Sequence, residues 1–311
     1  MSVVIECSKV RKVYRGPVEA LRGIDLCISR GECFGLLGRN GSGKTTTVEI
    51  IEGLLAPTSG CVRIFGKKWA QAAAEIRPRI GAVLQGARLP DKLTVRETLR
   101  LFASFYPRPM SVEEALRRLE LNRLADTRAG VLSEGQRQCL NLACGLIGGP
   151  ELLFLDEPTT GLDPHSREKL WATVSDYCGS GGTVLFTTHY MEEAERFGTY
   201  IAILDQGLIV AQGTPADLVS RLGAGDVVEI STGRGSLTEW AAEDLSTMPG
   251  VVSVREVTHG WQLLVNNTEL VVQALMDAAR LRGRSGLKLT TREISLDDVF
   301  ISIAGRGFRN E

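Results

Sequence analysis

The run GRNGSGKTT, Gly38 to Thr46, follows an apolar stretch, CFGLLG, and opens into KTTTVEIIEG, which reads as a helix. A strand, a glycine-rich turn and a helix in the pattern GxxxxGKT form a loop whose successive N–H groups face one anion, with the helix dipole behind them. Gly38, Asn40, Gly41, Ser42, Gly43, Lys44, Thr45 and Thr46 are the candidate phosphate contacts. Lys44 is placed to reach the β- and γ-phosphates of a nucleotide, and the Thr45 hydroxyl to bind Mg²⁺.

The flanking segments say what kind of sheet carries such a loop. VVIECSKV and GIDLCIS read as strands, giving a β-rich start. GCVRIFG and IGAVLQ are extended, and ELLFLDE and GTVLFTTH are short apolar strands separated by helices, as in a parallel sheet covered on both faces. Between them, residues 86–148 read as a helical layer. Its clearest helix starts at a capping box, Thr94 to Glu97, and sets Val95, Leu99, Phe102 and Tyr106 on one face. IAILDQGLIVAQG reads as a hairpin around Gln206-Gly207, and a helix capped by Thr214 with Pro215 at its first position follows.

After RLGAGD the texture changes, with shorter apolar runs and no further cysteine. The expected division is therefore 1–222 and 224–311. The second part reads β-α-β-β-α-β: DVVEIS, a helix from Leu237 to Leu245, VVSVREV and WQLLV joined at His259-Gly260, a helix from Glu269 to Leu281, LKLTT, and a last helix from near Ser295.

Composition removes several function classes. The 36 Lys+Arg nearly balance 37 Asp+Glu, so no global field attracts nucleic acid, and none is expected as a partner. No apolar run approaches the length of about 18 residues that a membrane span requires, and MSVVIECSKV lacks the pattern of a signal peptide. The seven cysteines are scattered without a CxxC pair, which suits reduced thiols rather than a metal site or disulfide framework.

LLFLDEP, Leu152 to Pro158, ends a buried strand in two carboxylates. Beside a phosphate loop, Asp156 is suited to hold Mg²⁺ through its water shell and Glu157 to polarise an attacking water. With these motifs in order, residues 1 to about 220 resemble the nucleotide-binding subunit of an ATP-binding-cassette (ABC) transporter. The resemblance implies that Tyr14 in KVYRG stacks on adenine and that Gln85 in AVLQG senses Mg²⁺ and the attacking water. It further matches LSEGQ to the signature LSGGQ, GLDP with Asp163 to the D-loop that faces the neighbouring cassette, and His189 in TTHYMEEAE to the switch histidine. His165 and His259 match nothing and are read as surface residues. ISLDDVFISIAG resembles the SLEDVF-type ending of the drug- and antibiotic-resistance exporter branch; as a physical object it is an amphipathic helix with Leu296, Val299 and Phe300 on one side.

The signature Ser133-Glu134-Gly135-Gln136 departs from that pattern at Glu134. Helix formation accounts for it: Ser133 and Gln136 make a capping box, and an acid suits the first turn. Toward ATP the same carboxylate is costly, since two charges some 4 Å apart interact by roughly 4 kcal/mol at an effective dielectric of about 20. The Ser133 hydroxyl and the N–H groups remain as donors, so Glu134 is expected to turn away and leave a working site.

The resemblance implies an α/β fold, a P-loop ABC cassette with an antiparallel β subdomain, a parallel-sheet core and a helical subdomain, followed by a small α+β domain. It implies ATP and Mg²⁺ as cofactors, ATP hydrolysis that powers a separate permease exporting drugs, antibiotics or other amphiphilic molecules, and a place on the inner face of the cell membrane. One copy of each motif implies a second cassette, with a homodimer expected. Leu89, Leu93 and Phe102 are candidates for a groove that receives the permease. The rival readings are a non-transport cassette ATPase acting in translation or repair, against which stand the single cassette and the lack of a long coiled coil, and a GTPase switch, against which stands the lack of an NKxD or TKxD motif.

Overall fold

The structure, a computed structural model, describes residues 2–16, 18–223, 225–232, 240–257, 260–281 and 287–307. The chain forms two compact units, Met1–Pro215 and Ala216–Glu311.

In the first unit, β1 (Val3–Val13), β2 (Glu19–Ser29) and β4 (Ser59–Ile64) form an antiparallel sheet in the order β2-β1-β4. A larger sheet contains β3 (Cys33–Leu37), β5 (Ile80–Val83), β6 (Leu152–Asp156), β7 (Thr183–Thr188), β8 (Tyr200–Asp205) and β9 (Leu208–Gly213) in the order β5-β6-β7-β3-β8-β9. Its strands are parallel except for the β8–β9 hairpin. Every residue of β3, β6 and β7 is buried, which explains why these strands read as unbroken apolar runs. Ile5, Leu21 and Ile28 of the small sheet share one core with Phe34, Leu36 and Phe154 of the large one and with Ile50 and Ile51 of α1 (Lys44–Ile51).

Parallel strands end their turns on one edge, and here that edge gathers the sequence motifs. The phosphate loop follows β3, Asp156 and Glu157 end β6, His189 follows β7, and Gln85 follows β5. The β8–β9 turn supports the loop from behind. Gln206 and Gly207 both have positive φ, 45° and 76°, as a two-residue hairpin turn requires. Gly207 N–H donates to the Ser42 carbonyl at 2.9 Å, and its own carbonyl accepts from Arg22 N–H at 2.9 Å.

The layer after Gln85 contains α3 (Val95–Ala103), α4 (Val112–Arg118) and α5 (Glu134–Leu146). The Thr94–Glu97 capping box forms, and Val95 and Leu99 are fully buried while Phe102 and Tyr106 are half-buried. Leu89 is buried, so it serves packing and not an open groove; the exposed apolar residues nearby are Leu84, Leu101 and Phe105. A helix the sequence reading lacked, α2 (Trp69–Ile76), lies between β4 and β5, anchored by Trp69 Nε1 donating to the Ile51 carbonyl at 2.7 Å.

The division falls within α8 (Pro215–Ser220), whose residues from Ala216 onward belong to the second unit, ahead of the change in texture at Gly223. That unit continues with β10 (Asp226–Thr232), α9 (Ala242–Ser246), β11 (Val251–Val257), β12 (Gly260–Val265), α10 (Thr268–Leu281), β13 (Leu287–Glu293) and α11 (Leu296–Gly307). The antiparallel sheet runs β11-β12-β10-β13, the split β-α-β arrangement. The helix expected over Leu237 to Leu245 starts at Ala242; its residues 237–239, and His259 in the β11–β12 connection, lie outside the described residues. Leu296 and Val299 of α11 are buried and Phe300 is half-buried. Arg292 holds Asp298 through two bonds of 2.7 and 2.9 Å and also donates to Glu229 at 3.2 Å, tying the helix start to β13 and β10. Burial alone would raise the Asp298 carboxyl, but the hydrogen bonds from Arg292 and Ser295 outweigh it and hold it below the usual carboxylate range.

Candidate functional site

Gly43 shows why the loop needs glycine. Its φ of 110° lies in the left-handed region, and a Cβ there would fall 2.7 Å from the Ala20 carbonyl oxygen. The turn leaves α1 without a side-chain cap, so its first N–H groups remain available to an anion held by the loop. Lys44 is 6% exposed and donates to the Gly38 carbonyl at 2.8 Å and the Arg39 carbonyl at 3.2 Å. Burial holds its ammonium below the usual lysine range, against the opposing pull of Glu157 and Asp156. Thr45 is exposed beside it. Ser42 Oγ is buried without a hydrogen-bond partner, and a Cβ on Gly38 would lie 2.4 Å from it. A buried donor with no partner inside a glycine-lined cradle fits an anionic oxygen.

Tyr14 is 40% exposed, its hydroxyl is 3.2 Å from Thr46 Oγ1, and Lys12 Nζ lies 5.3 Å from its ring centre. The Tyr14 ring thus stands partly exposed beside the loop, with Lys12 over it.

Across the edge, Asp156 is buried and its Oδ1 accepts from Thr187 Oγ1 at 2.5 Å. Glu157 adopts a left-handed φ of 45°, uncommon outside glycine. The conformation is fixed by its N–H, which donates to Thr187 Oγ1 at 2.9 Å and the Thr187 carbonyl at 3.2 Å. One oxygen, Glu157 Oε2, receives Gln85 Nε2 at 3.1 Å and Thr160 Oγ1 at 3.2 Å, and His189 Nδ1 is 3.3 Å away. Oε1 has no such partner among the described residues. An acid whose one oxygen is held by three groups presents the other to a water.

Thr45, Asp156 and Gln85 offer a hydroxyl, a carboxylate and an amide oxygen, a hard donor set suited to Mg²⁺ shared with phosphate oxygens. Among the described residues no cluster of three or more His, Cys, Asp or Glu forms a self-sufficient metal site. Nearby, Glu52 at the end of α1 is buried with both oxygens unpartnered; burial first, then the charges of Asp156 and Glu49, push its carboxyl up to about 8.

The signature segment forms the expected N-terminus of α5. Ser133 Oγ accepts from Gln136 N–H at 3.3 Å, and Gln136 Oε1 accepts from Ser133 N–H at 3.0 Å. The cap uses Ser133 as an acceptor, so its O–H is still free to donate. Glu134 is exposed. Gly135 is buried under α6 (Pro164–Gly179), where a Cβ would meet Ser166 Oγ at 2.4 Å. Asp163 caps that helix, accepting from Ser166 N–H at 3.0 Å and Ser166 Oγ at 2.6 Å; these bonds hold its carboxyl below the usual range. Gly135 and Asp163 are thus packed together through Ser166 within one chain. Gln138 joins them to the Glu157 segment by donating to the Pro158 carbonyl at 2.8 Å.

The sequence reading did not single out Thr160, Thr187, Ser166 or Gln138; Thr187 and Gln138 bond to residues of other segments, while Thr160 and Ser166 bond to Glu157 and Asp163 three residues away. His165 is exposed, as expected.

The family model described as ABC transporter matches residues 21–160. The Nod factor export ATP-binding protein I of Cupriavidus pinatubonensis is 37% identical over 321 residues, covering 100% of this chain and 93% of that protein. The protein of the same name from Sinorhizobium fredii is 36% identical over 99% of this chain and 88% of its own. Among solved structures, an ATP-binding subunit of an ABC transporter superposes with a TM-score of 0.64 at 30% identity, covering 71% of this chain and 93% of its own. A dimeric ATP-binding cassette in a post-hydrolysis state with ADP and Pi superposes with a TM-score of 0.62 at 31% identity, over 68% of this chain and 98% of its own.

Proposed function

The chain belongs to the family of ABC transporter ATP-binding subunits, and from that premise we propose that it hydrolyses ATP to drive export through a separate membrane permease. The observation that carries this reading is the convergence of Gln85, Thr160 and His189 on one oxygen of Glu157, at the sheet edge that also presents Lys44 and Asp156.

When bound, ATP supplies the phosphoanhydride bond to be broken, and Mg²⁺ screens its phosphates. Tyr14 offers its ring to adenine. The loop from Gly38 to Thr46 wraps the phosphates, and Lys44 exchanges its loop carbonyls for phosphate oxygens. Thr45, Asp156 and Gln85 would hold Mg²⁺. Glu157 Oε1 accepts a proton from the attacking water, and His189 keeps Glu157 Oε2 in place. Ser133, Gly135 and Gln136, with Asp163, face the site of a second cassette, and a second copy of this chain is the proposed occupant.

The export direction follows relatives named for Nod factor export; the proposed cargo class is amphiphilic, as drugs and antibiotics are. The protein is placed on the cytoplasmic face of the membrane, held there by the permease. Among the described residues no helix is long and apolar enough to cross a membrane. The tagged chain should copurify with a membrane protein of several spans, and reconstitution with it should raise MgATP turnover. Recovery of an active ATPase whose partners are all soluble would overturn the transport reading.

Glu134 remains the departure from the pattern. If its carboxylate turns from the partner's γ-phosphate, Glu134→Gly should change turnover little and lower the melting temperature, because glycine is about 1 kcal/mol poorer in a helix than the best former and removes an acid from the first turn. Hydrolysis and ATP-dependent dimerisation at low and high salt check this. A gain of about tenfold at low salt that disappears at high salt would make Glu134 a brake on the composite site.

A further inference from the structure

Glu193 lies in α7 (Met191–Phe197), just beyond His189, and is 4% exposed. Its two oxygens are divided between two segments of the chain. Thr159 Oγ1 donates to Oε1 at 2.6 Å, and Thr188 Oγ1 donates to Oε2 at 2.7 Å. Thr159 belongs to the turn that leaves Glu157, and Thr188 immediately precedes His189. Thr188 Oγ1 also accepts from Tyr190 N–H at 3.0 Å, which fixes the backbone on both sides of the histidine.

Arg167, on α6, completes the arrangement. Its Nε is 3.5 Å from Glu193 Oε1, and its guanidinium lies over the Tyr190 ring at 4.6 Å. The other neighbour of that ring is His189, with centroids 4.1 Å apart. A buried carboxylate is costly unless paired and hydrogen-bonded. Here each partner comes from a segment that carries a candidate site residue: Thr159 from that of Glu157, Thr188 from that of His189, and Arg167 from the helix capped by Asp163.

We propose that Glu193 is a positioning residue for ATP hydrolysis, clamping the His189 loop to the Glu157 segment so that the Glu157–His189 contact keeps its geometry. The proposal rests on the assignment of Glu157 and His189 made above. Glu193 itself touches neither nucleotide nor water; it acts by holding two loops whose side chains must meet within 3.3 Å. A displacement of about 1 Å between reacting groups lowers rates on the order of a hundredfold. The phosphate loop and Tyr14 lie on other segments and should be unaffected.

The test uses the full chain with MgATP. Glu193→Ala should lower kcat by about 30- to 100-fold with KM for ATP within about threefold of wild type, and Glu193→Gln, which keeps one acceptor oxygen, should fall between. Thr188→Val and Thr159→Val should each lower kcat, and neither should lower it further in the Glu193→Ala background. Should Glu193→Ala fail to fold, the two near-isosteric threonine variants decide, and unchanged kcat in both would overturn the proposal. Wild-type kcat in a folded Glu193→Ala would also overturn it, as would a loss additive with the threonine changes and matched by a raised KM, which is the signature of general packing damage. Normal turnover in Glu157→Gln would instead remove the assignment beneath the proposal, and the proposal with it.

Discussion

Glu157→Gln should lower ATP turnover by at least about a hundredfold while leaving nucleotide affinity within about threefold of wild type. The reason lies in how the two oxygens of Glu157 are used. Oε2 is held by Gln85, Thr160 and His189, so a glutamine keeps that geometry only by placing its own oxygen there. Its amide nitrogen then occupies the position of Oε1, where it can donate to a water but cannot take a proton from it. The opposite orientation sets the amide nitrogen against the Gln85 nitrogen and breaks the cluster. Both orientations remove the base, and general-base catalysis contributes about 10² to 10⁴ in rate. Binding should survive because the loop, Lys44 and Tyr14 are untouched. Without hydrolysis to reopen it, an ATP-bound dimer should accumulate, which size-exclusion chromatography with and without MgATP would show. A turnover within threefold of wild type would rule out Glu157 as the group that activates water.

The motifs that were legible in the sequence share one property. The phosphate loop and Asp156-Glu157 each occupy a few consecutive residues at the end of a buried strand, so strand pattern and local chemistry identify them together, whereas Gln85 and His189 were named only through the family resemblance. The capping boxes at Thr94 and Ser133 were legible for the same reason: their partners are three residues apart. Residues that work between segments left no such trace. Glu193 meets Thr159 across 34 positions, and Thr187 meets Asp156 across 31. Gly135 looked like a signature residue for a nucleotide, yet the close approach of Ser166 requires glycine there already within one chain. Leu89 was a groove candidate because the layer after Gln85 is where the resemblance implies a permease groove; its burial depends on packing that a loop segment does not reveal in its own sequence. Helix α2 was missed because WAQAAAEI is short and is interrupted at Ala72, whose φ/ψ of −139°/28° is non-helical, so it never presents a sustained helical period.

Lys44→Ala should separate binding from catalysis in the opposite sense, removing both. The Lys44 ammonium is nearly buried and donates to two carbonyls of its own loop, at 2.8 and 3.2 Å. ATP binding exchanges those two hydrogen bonds for charge-assisted bonds to phosphate oxygens, each worth about 1.5 to 3 kcal/mol, and alanine forfeits these. The loss should weaken ATP affinity about a hundredfold, measurable by calorimetry, with turnover falling below detection. Lys44→Arg should not rescue it, since a planar guanidinium does not fit a buried site shaped for a single ammonium. The titration of Lys44 gives an independent check. Burial lowers its proton affinity, so the charge that draws phosphate is lost at lower pH than for an exposed lysine. Wild-type ATP affinity should therefore fall as pH rises through this lowered range, and Lys44→Ala should show no such fall. An affinity for ATP in Lys44→Ala close to wild type would mean that the backbone N–H groups alone carry the phosphates, and would overturn the role assigned to Lys44.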